Sequence, residues 1–561
     1  MALSKNIHFE VLGLKGTSWS ILQVLHDEEK ALKLAEAKWG TGAFKAVKVV
    51  RERLNPEDGT YRTADIYMKG KEPKVKERKG PPGACWKPGD LYSYEGRRTL
   101  TRLLQTELER WQITALELTH VPDHYYRLDD TGVALQNAVQ KAAIAQVKDT
   151  EFSIQDRMKD IYALITIAID QLKEFYKDEE KIPNLTTLGM DGVIKRLEKS
   201  EERSYLLTLS IVQSFIAIKT IPEKLKAILD QLKPDHPAWV LGVADSIIAE
   251  LIASPSTIRV LVGEDGTNIG KTIADLSALS RGSLTDPQGD AVMLKRLNAL
   301  VDLGQMRQTT LAIYGRLAKI LAGRKTLSDG SIRGDLQVID TMIKTLRGPE
   351  DEKIGDFRLI EAIDERCARS LNQENITNYL SGEKDPFVLI DRLLQLDPLV
   401  HGETAKRRLS SYILPIVSGP DYSSYFRGLE GNYLERMKGL SRVQRTVIRS
   451  SITEEHKKKL VGQLDEFCAQ ILEGSKLLQR LHQSATSPAL AGKKLIQLMA
   501  GGYFTIGNAS RQTRDAARKY MRLPNFIEQC MEGDTDAEKA KSVMELQQLM
   551  VKAGMSDKKS G

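Results

Sequence analysis

The chain has 561 residues, 41% of them hydrophobic and 28% charged, a composition that excludes a largely disordered protein. Such a length exceeds what a single hydrophobic core serves, so about two to four domains are expected. The net charge of +7 is uneven: residues 401–561 hold 26 Lys and Arg against 17 Asp and Glu, so the whole positive excess lies in this last stretch.

Residues 1–70 read as a small α+β module. Ile7, Phe9 and Val11 alternate and predict a first strand. Trp19 and Ile21 alternate too, with Val24 fitting more loosely, and predict a second; Gly13 and Lys15-Gly16-Thr17 supply turn residues between them. Asp27 suits a helix N-cap, the run from Glu28 to Trp39 is amphipathic with acids in its first turn, and Gly40 suits a stop. Phe44 to Arg53 and Tyr61 to Tyr67 predict two more strands, joined by Asn55-Pro56-Glu57-Asp58-Gly59, a hairpin signal. The sum is ββαββ: a four-stranded antiparallel sheet with one covering helix.

Residues 71–90 read as a basic, Pro-rich linker, because high charge with many prolines does not build a packed element. Within it, Trp86 is expected to dock onto a neighbouring domain. From residue 91 onward the periodicity is helical, as in Thr99 to Trp111, Gly132 to Lys148, Met158 to Tyr176 and Glu202 to Thr220. Three helical parts are expected: 91–235, 236–400 and a basic 401–561. The fold class is therefore mainly α, with a small N-terminal α+β module followed by a long array of stacked helical hairpins.

One phrase recurs in the helical part: an apolar helix, a short stop, Pro, then apolar residues. It occurs around Pro255 with Ile258 and Leu261, around Pro420 with Tyr422 and Phe426, and around Pro524 with Phe526 and Cys530. Gly402 and Gly507 precede the second and third prolines by 18 and 17 residues. A recurring helix–Pro–helix unit points to helical repeats rather than to one catalytic cleft.

Motifs of catalysis are weak. Gly270-Lys271-Thr272 follows an apolar run and resembles a phosphate-binding loop. However, Gly266 leaves one residue too few before Gly270-Lys271, and the required position holds Asp265, whose carboxylate repels phosphate. The strand-like run from Thr257 to Val262 reads better as the helix after Pro255. His120 and His124 are spaced i, i+4, but Pro122 between them argues against one regular helix presenting both to a metal. The four cysteines (Cys85, Cys367, Cys468 and Cys530) are far apart, which fits a reducing compartment and gives no zinc spacing. No catalytic, cofactor or metal residues are nominated.

The better candidates are basic stripes. Arg511, Arg514, Arg518 and Arg522 recur at i, i+3, i+7 and i+11, with Ala516, Tyr520 and Leu523 on the other side. Arg436, Lys438, Arg442, Arg445 and Arg449 form a second basic stretch, and Lys457-Lys458-Lys459 a third. The functional expectation is a non-enzymatic, cytoplasmic interaction or regulatory scaffold that binds a protein partner and has no membrane span. The alternatives are nucleic-acid or polyanion binding through the basic C-terminal helices, and an atypical nucleotide-binding enzyme using the Gly-Lys-Thr segment. The sequence leaves the oligomeric state open.

Overall fold

The computed structural model describes residues 7–15, 18–54, 61–70, 85–147, 153–177, 181–263, 268–285, 289–429, 431–531 and 534–555. The chain is mainly α, with a small four-stranded antiparallel sheet near its N-terminus, as its periodicities require. It divides into two compact units, residues 1–251 and 252–561.

Strands β1 (Ile7–Lys15), β2 (Ser18–Leu25), β3 (Ala46–Leu54) and β4 (Tyr61–Gly70) pair antiparallel in the order β2-β1-β3-β4. Helix α1 (Glu28–Gly40) lies between β2 and β3 in sequence, and its Ala31 and Ala35 pack with Phe9, Val11, Val47 and Val49. Small residues on the helix let it sit close to the sheet. Asp27 caps α1 by accepting from the Lys30 amide at 2.9 Å. The helix runs through Gly40, and Gly42 instead takes the left-handed backbone, at φ +67°. β2 also departs from its expected phase. Ile21 and Val24 are 55% and 47% exposed, while Leu22 and Leu25 pack on the core. The cause is a register shift: Val11 pairs with Gln23 but Leu12 with Ile21, so Leu22 is an extra residue that re-aims the strand. Leu54 pairs with Tyr61 across the expected hairpin, whose turn, like Gly16-Thr17 and most of the linker, lies outside the described residues.

The helical part starts earlier than expected, at Pro88. Its first unit carries α2 (Pro88–Tyr92), α3 (Tyr94–Leu103), α4 (Gln105–Trp111), α5 (Ala115–His120), α6 (Pro122–Asp130), α7 (Val133–Gln146), α8 (Ile154–Tyr176), α9 (Leu185–Leu197), α10 (Arg203–Phe215), α11 (Ile221–Gln231) and α12 (Ala238–Ile252). The single helix expected from Thr99 to Trp111 breaks at Leu104, whose φ of −117° and ψ of 21° end α3 and let Leu104 and Leu108 share one core. Two buried ion pairs join distant elements. Arg97 of α3 meets Glu250 of α12 at 2.8 Å, and Glu250 also accepts from the Leu116 amide at 2.7 Å. Lys224 of α11 meets Glu117 of α5 at 2.7 Å and donates to the Gln112 carbonyl. These charges are tolerated inside because each has both a counter-charge and further hydrogen bonds.

The second unit carries α13 (Pro255–Val262), α14 (Ile269–Leu279), α15 (Ala291–Asp302), α16 (Arg307–Ala322), α17 (Ile332–Arg347), α18 (Phe357–Ser370), α19 (Gln373–Leu380), α20 (Pro386–Leu396), α21 (Glu403–Ser418), α22 (Pro420–Arg427), α23 (Tyr433–Arg449), α24 (Glu454–Gly474), α25 (Leu477–Ser484), α26 (Pro488–Ala500), α27 (Asn508–Met521), α28 (Phe526–Gln529) and α29 (Asp536–Lys552). One row runs through α16, α18, α21, α24 and α27, each packed on the next. A second row supplies the last four with partners: α17 on α18, α20 on α21, α23 on α24 and α26 on α27. Pro255 and Pro420 each open a helix at the position where their missing amide is harmless, and Pro524 stands two residues before α28. Ile258, Leu261, Phe426, Phe526 and Cys530 after them are all buried.

Candidate functional site

α27 is amphipathic in the sense its sequence requires. Ala509, Thr513 and Ala517 are buried, while Arg511, Arg518 and Arg522 are exposed along the opposite side. Arg514 lies at the margin of this stripe: it is half-buried, and its Nε has no hydrogen-bond partner. Arg518 sits 3.6 Å from Asp515, an exposed pair of little energetic weight.

α23 carries the second stripe. Met437, Leu440, Val443 and Val447 face the core, and Lys438, Arg442, Arg445 and Arg449 are exposed at heptad-like spacing. Lys438 lies over the Tyr503 ring at 5.4 Å, and Arg442 pairs with Asp391 at 2.7 Å. Arg436 does not belong to this stripe. It turns onto the Gly428 carbonyl and the Tyr425 ring, a half-buried position that serves the α22–α23 connection. The third stretch is largely neutralised within its own helix, since Lys457 pairs with Glu454 at 2.7 Å and Lys459 with Glu455 at 2.8 Å.

The segment from Gly501 to Gly507 ties α23 and α27 together. Gln444 of α23 accepts from the Ile506 amide at 2.6 Å and donates to the Ile506 and Val461 carbonyls, while Ser441 donates to the Phe504 carbonyl at 2.8 Å. Asp465 of α24 accepts from the Thr505 hydroxyl at 2.7 Å and from the Asn508 and Ala509 amides at 2.6 and 3.2 Å. An internal carboxylate thus answers the free amides that open α27. Both basic stripes are therefore held on braced helices rather than on loops.

The same brace occurs once more, around α21. Asp364 of α18 accepts from the Thr404 and Ala405 amides at 3.1 and 2.8 Å. Gly402 and Gly507 lie just before α21 and α27 at φ +96° and +142°, and a Cβ on either would fall within 2.3 and 2.1 Å of the aspartate. Sequence reasoning found these glycines but missed the aspartates. The signal was present: Ile363-Asp364-Glu365-Arg366-Cys367-Ala368 and Leu464-Asp465-Glu466-Phe467-Cys468-Ala469 share Asp-Glu-x-Cys-Ala.

The other nominated segments take helical positions in the described residues. Thr257 to Val262 is helical, within α13. Gly270 and Lys271 lie in the first turn of α14, where Asn268 accepts from the Lys271 amide; residues 264–267 lie outside the described residues. A Cβ on Gly270 would fall 2.6 Å from the Leu327 carbonyl oxygen, so this glycine serves close packing. His120 is buried at the end of α5, with Nδ1 2.8 Å from the Leu116 carbonyl and its ring centroid 5.1 Å from that of Tyr92. His124 is on α6, the helix Pro122 opens. Among the described residues, no group of three or more His, Cys, Asp or Glu side chains is placed to hold a metal ion, and no single helix is long and apolar enough to cross a membrane. No family model, curated protein or solved structure matches the chain.

Proposed function

We propose that this chain is an interaction scaffold whose α23 and α27 stripes dock an acidic segment of a protein partner. One observation carries the reading. Arg445, Arg449, Arg511 and Arg522 are exposed on braced helices and form no ion pair among the described residues. Guanidinium groups bind carboxylates in a planar, two-point fashion, which favours them where a carboxylate-bearing chain is to be read. Carboxylates interleave the basic groups: Glu435 lies at the start of α23, Asp391 beside Arg442, and Asp515 beside Arg518. Such a mixed pattern suits a peptide of particular charge spacing better than the unbroken charge of a phosphate backbone.

The test uses the full chain with a Glu-rich peptide and a duplex DNA of equal charge, at about 0.15 M salt. The peptide is expected to bind, and the double reversals Arg445→Glu with Arg449→Glu, and Arg511→Glu with Arg518→Glu, each to weaken it about tenfold or more, roughly 1.4 kcal/mol. Thermal stability should not move, because these side chains touch solvent. Tighter binding of the DNA, with a steep loss of affinity in salt, would transfer the assignment to nucleic acid. Peptide affinity untouched by both reversals would remove the stripes from the function.

A further inference from the structure

We infer that the cavity among α3, α6, α7 and α8 is a binding site for a small uncharged hydrocarbon chain. The cavity measures about 110 Å³ and is walled by carbon, with Leu100, Leu104, Leu135, Val139, Ile161 and Ile165 among its surfaces. Alanine occupies three lining positions, Ala138, Ala142 and Ala168, where a larger apolar residue would take up the space. Native interiors are close-packed, and a void of this size is uncommon in them.

Four of the polar side chains on its wall are already engaged. The Tyr92 hydroxyl donates to the Ala168 carbonyl at 2.8 Å, and the Thr119 hydroxyl to the Ala115 carbonyl at 2.9 Å. Gln146 accepts from Arg157 Nε at 2.6 Å. Asp90 accepts from the Trp86 and Lys87 amides at 2.9 and 3.1 Å. A cavity that offers water so few partners stays dry and takes apolar molecules; one of roughly 150 Å³ accepts benzene. The occupant is therefore of about that size and carries no charge.

Cys85 and Asp90, both partly exposed, line the cavity at its α2 end. Arg157, fully buried, donates to the Cys85 carbonyl and stacks on the Trp86 ring at 4.1 Å, so it fastens the incoming chain at this end. The Asp90 carboxylate there disfavours a charged acid on the same tail.

Calorimetry of the full chain with 1-hexanol and with hexanoate tests the site. Saturable one-to-one binding of hexanol is expected, with a negative heat-capacity change, and at least tenfold weaker binding of hexanoate. Ala142→Leu and, separately, Ala138→Leu fill the space and are each expected to reduce hexanol affinity tenfold or more while helical circular dichroism is retained. Two filling variants guard against one that misfolds. Absence of saturable hexanol binding, or affinity unchanged in both folded variants, overturns the site. Equal binding of hexanoate overturns the uncharged assignment.

Discussion

Asp465 and Gly507 form a matched pair. The carboxylate fits against the chain because the glycine has no Cβ, and the glycine's φ of +142° is one that other residues rarely adopt. Gly507→Ala should therefore lose about 2 kcal/mol or more, from backbone strain and from the displaced carboxylate. Asp465→Ala removes three hydrogen bonds and uncaps α27, with a loss of about 2–3 kcal/mol expected in urea unfolding. His120 gives a pH signature. Burial lowers its pKa from 6.5 to about 4, so between these values the unfolded chain holds more protons than the folded one. Stability should fall as pH drops from about 6.5 towards 4, by about 3 kcal/mol for this group, and His120→Phe should flatten that window. Hydrogen exchange in α5 as a function of pH checks it.

At the scale of elements, α5 and α11 are joined by the Glu117–Lys224 pair, which lies wholly inside. Lys224→Ala leaves the Glu117 carboxylate buried without its counter-charge and should cost about 3–5 kcal/mol. Replacing both, with Lys224→Met and Glu117→Leu, should recover most of that loss; a double variant no more stable than the single one would contradict this account. Such pairs could not be read from the sequence, since the partners are 107 positions apart and the one local motif, the Thr114–Glu117 capping box of α5, says nothing of Lys224. What was legible is local. The strands, α1 and its Asp27 cap, the prolines that open helices, and the outward face of Arg511, Arg518 and Arg522 all follow from period and propensity. What was not legible depends on tertiary contact: the extra residue at Leu22, the break at Leu104, and the turn of Arg436 onto Gly428. Leu22 shows why. A strand's period determines its face only while its pairing register is unbroken.

For the whole molecule, the division at residues 251 and 252 makes a prediction about cooperativity. Denaturant unfolding should resolve two transitions, with Lys224→Ala moving one and Gly507→Ala the other. If each substitution shifts both transitions equally, the units do not unfold separately. The basic excess is also a large-scale property. It was visible by counting residues 401–561, but counting could not separate the exposed α23 and α27 stripes from Lys457 and Lys459, whose charges are answered within α24.

The recurring aspartate–glycine brace has a mechanical meaning. Each aspartate links one helix of a row to the start of the next, Asp364 holding α21 and Asp465 holding α27. Under tension applied at the C-terminus, the load reaches the Asp465 latch before the Asp364 latch. Extension in an optical trap should then show successive rips, the first releasing α27 and the chain beyond it. Gly507→Ala should lower the force of that first rip and leave the later one in place, so the second unit would yield like a ratchet, one tooth at a time.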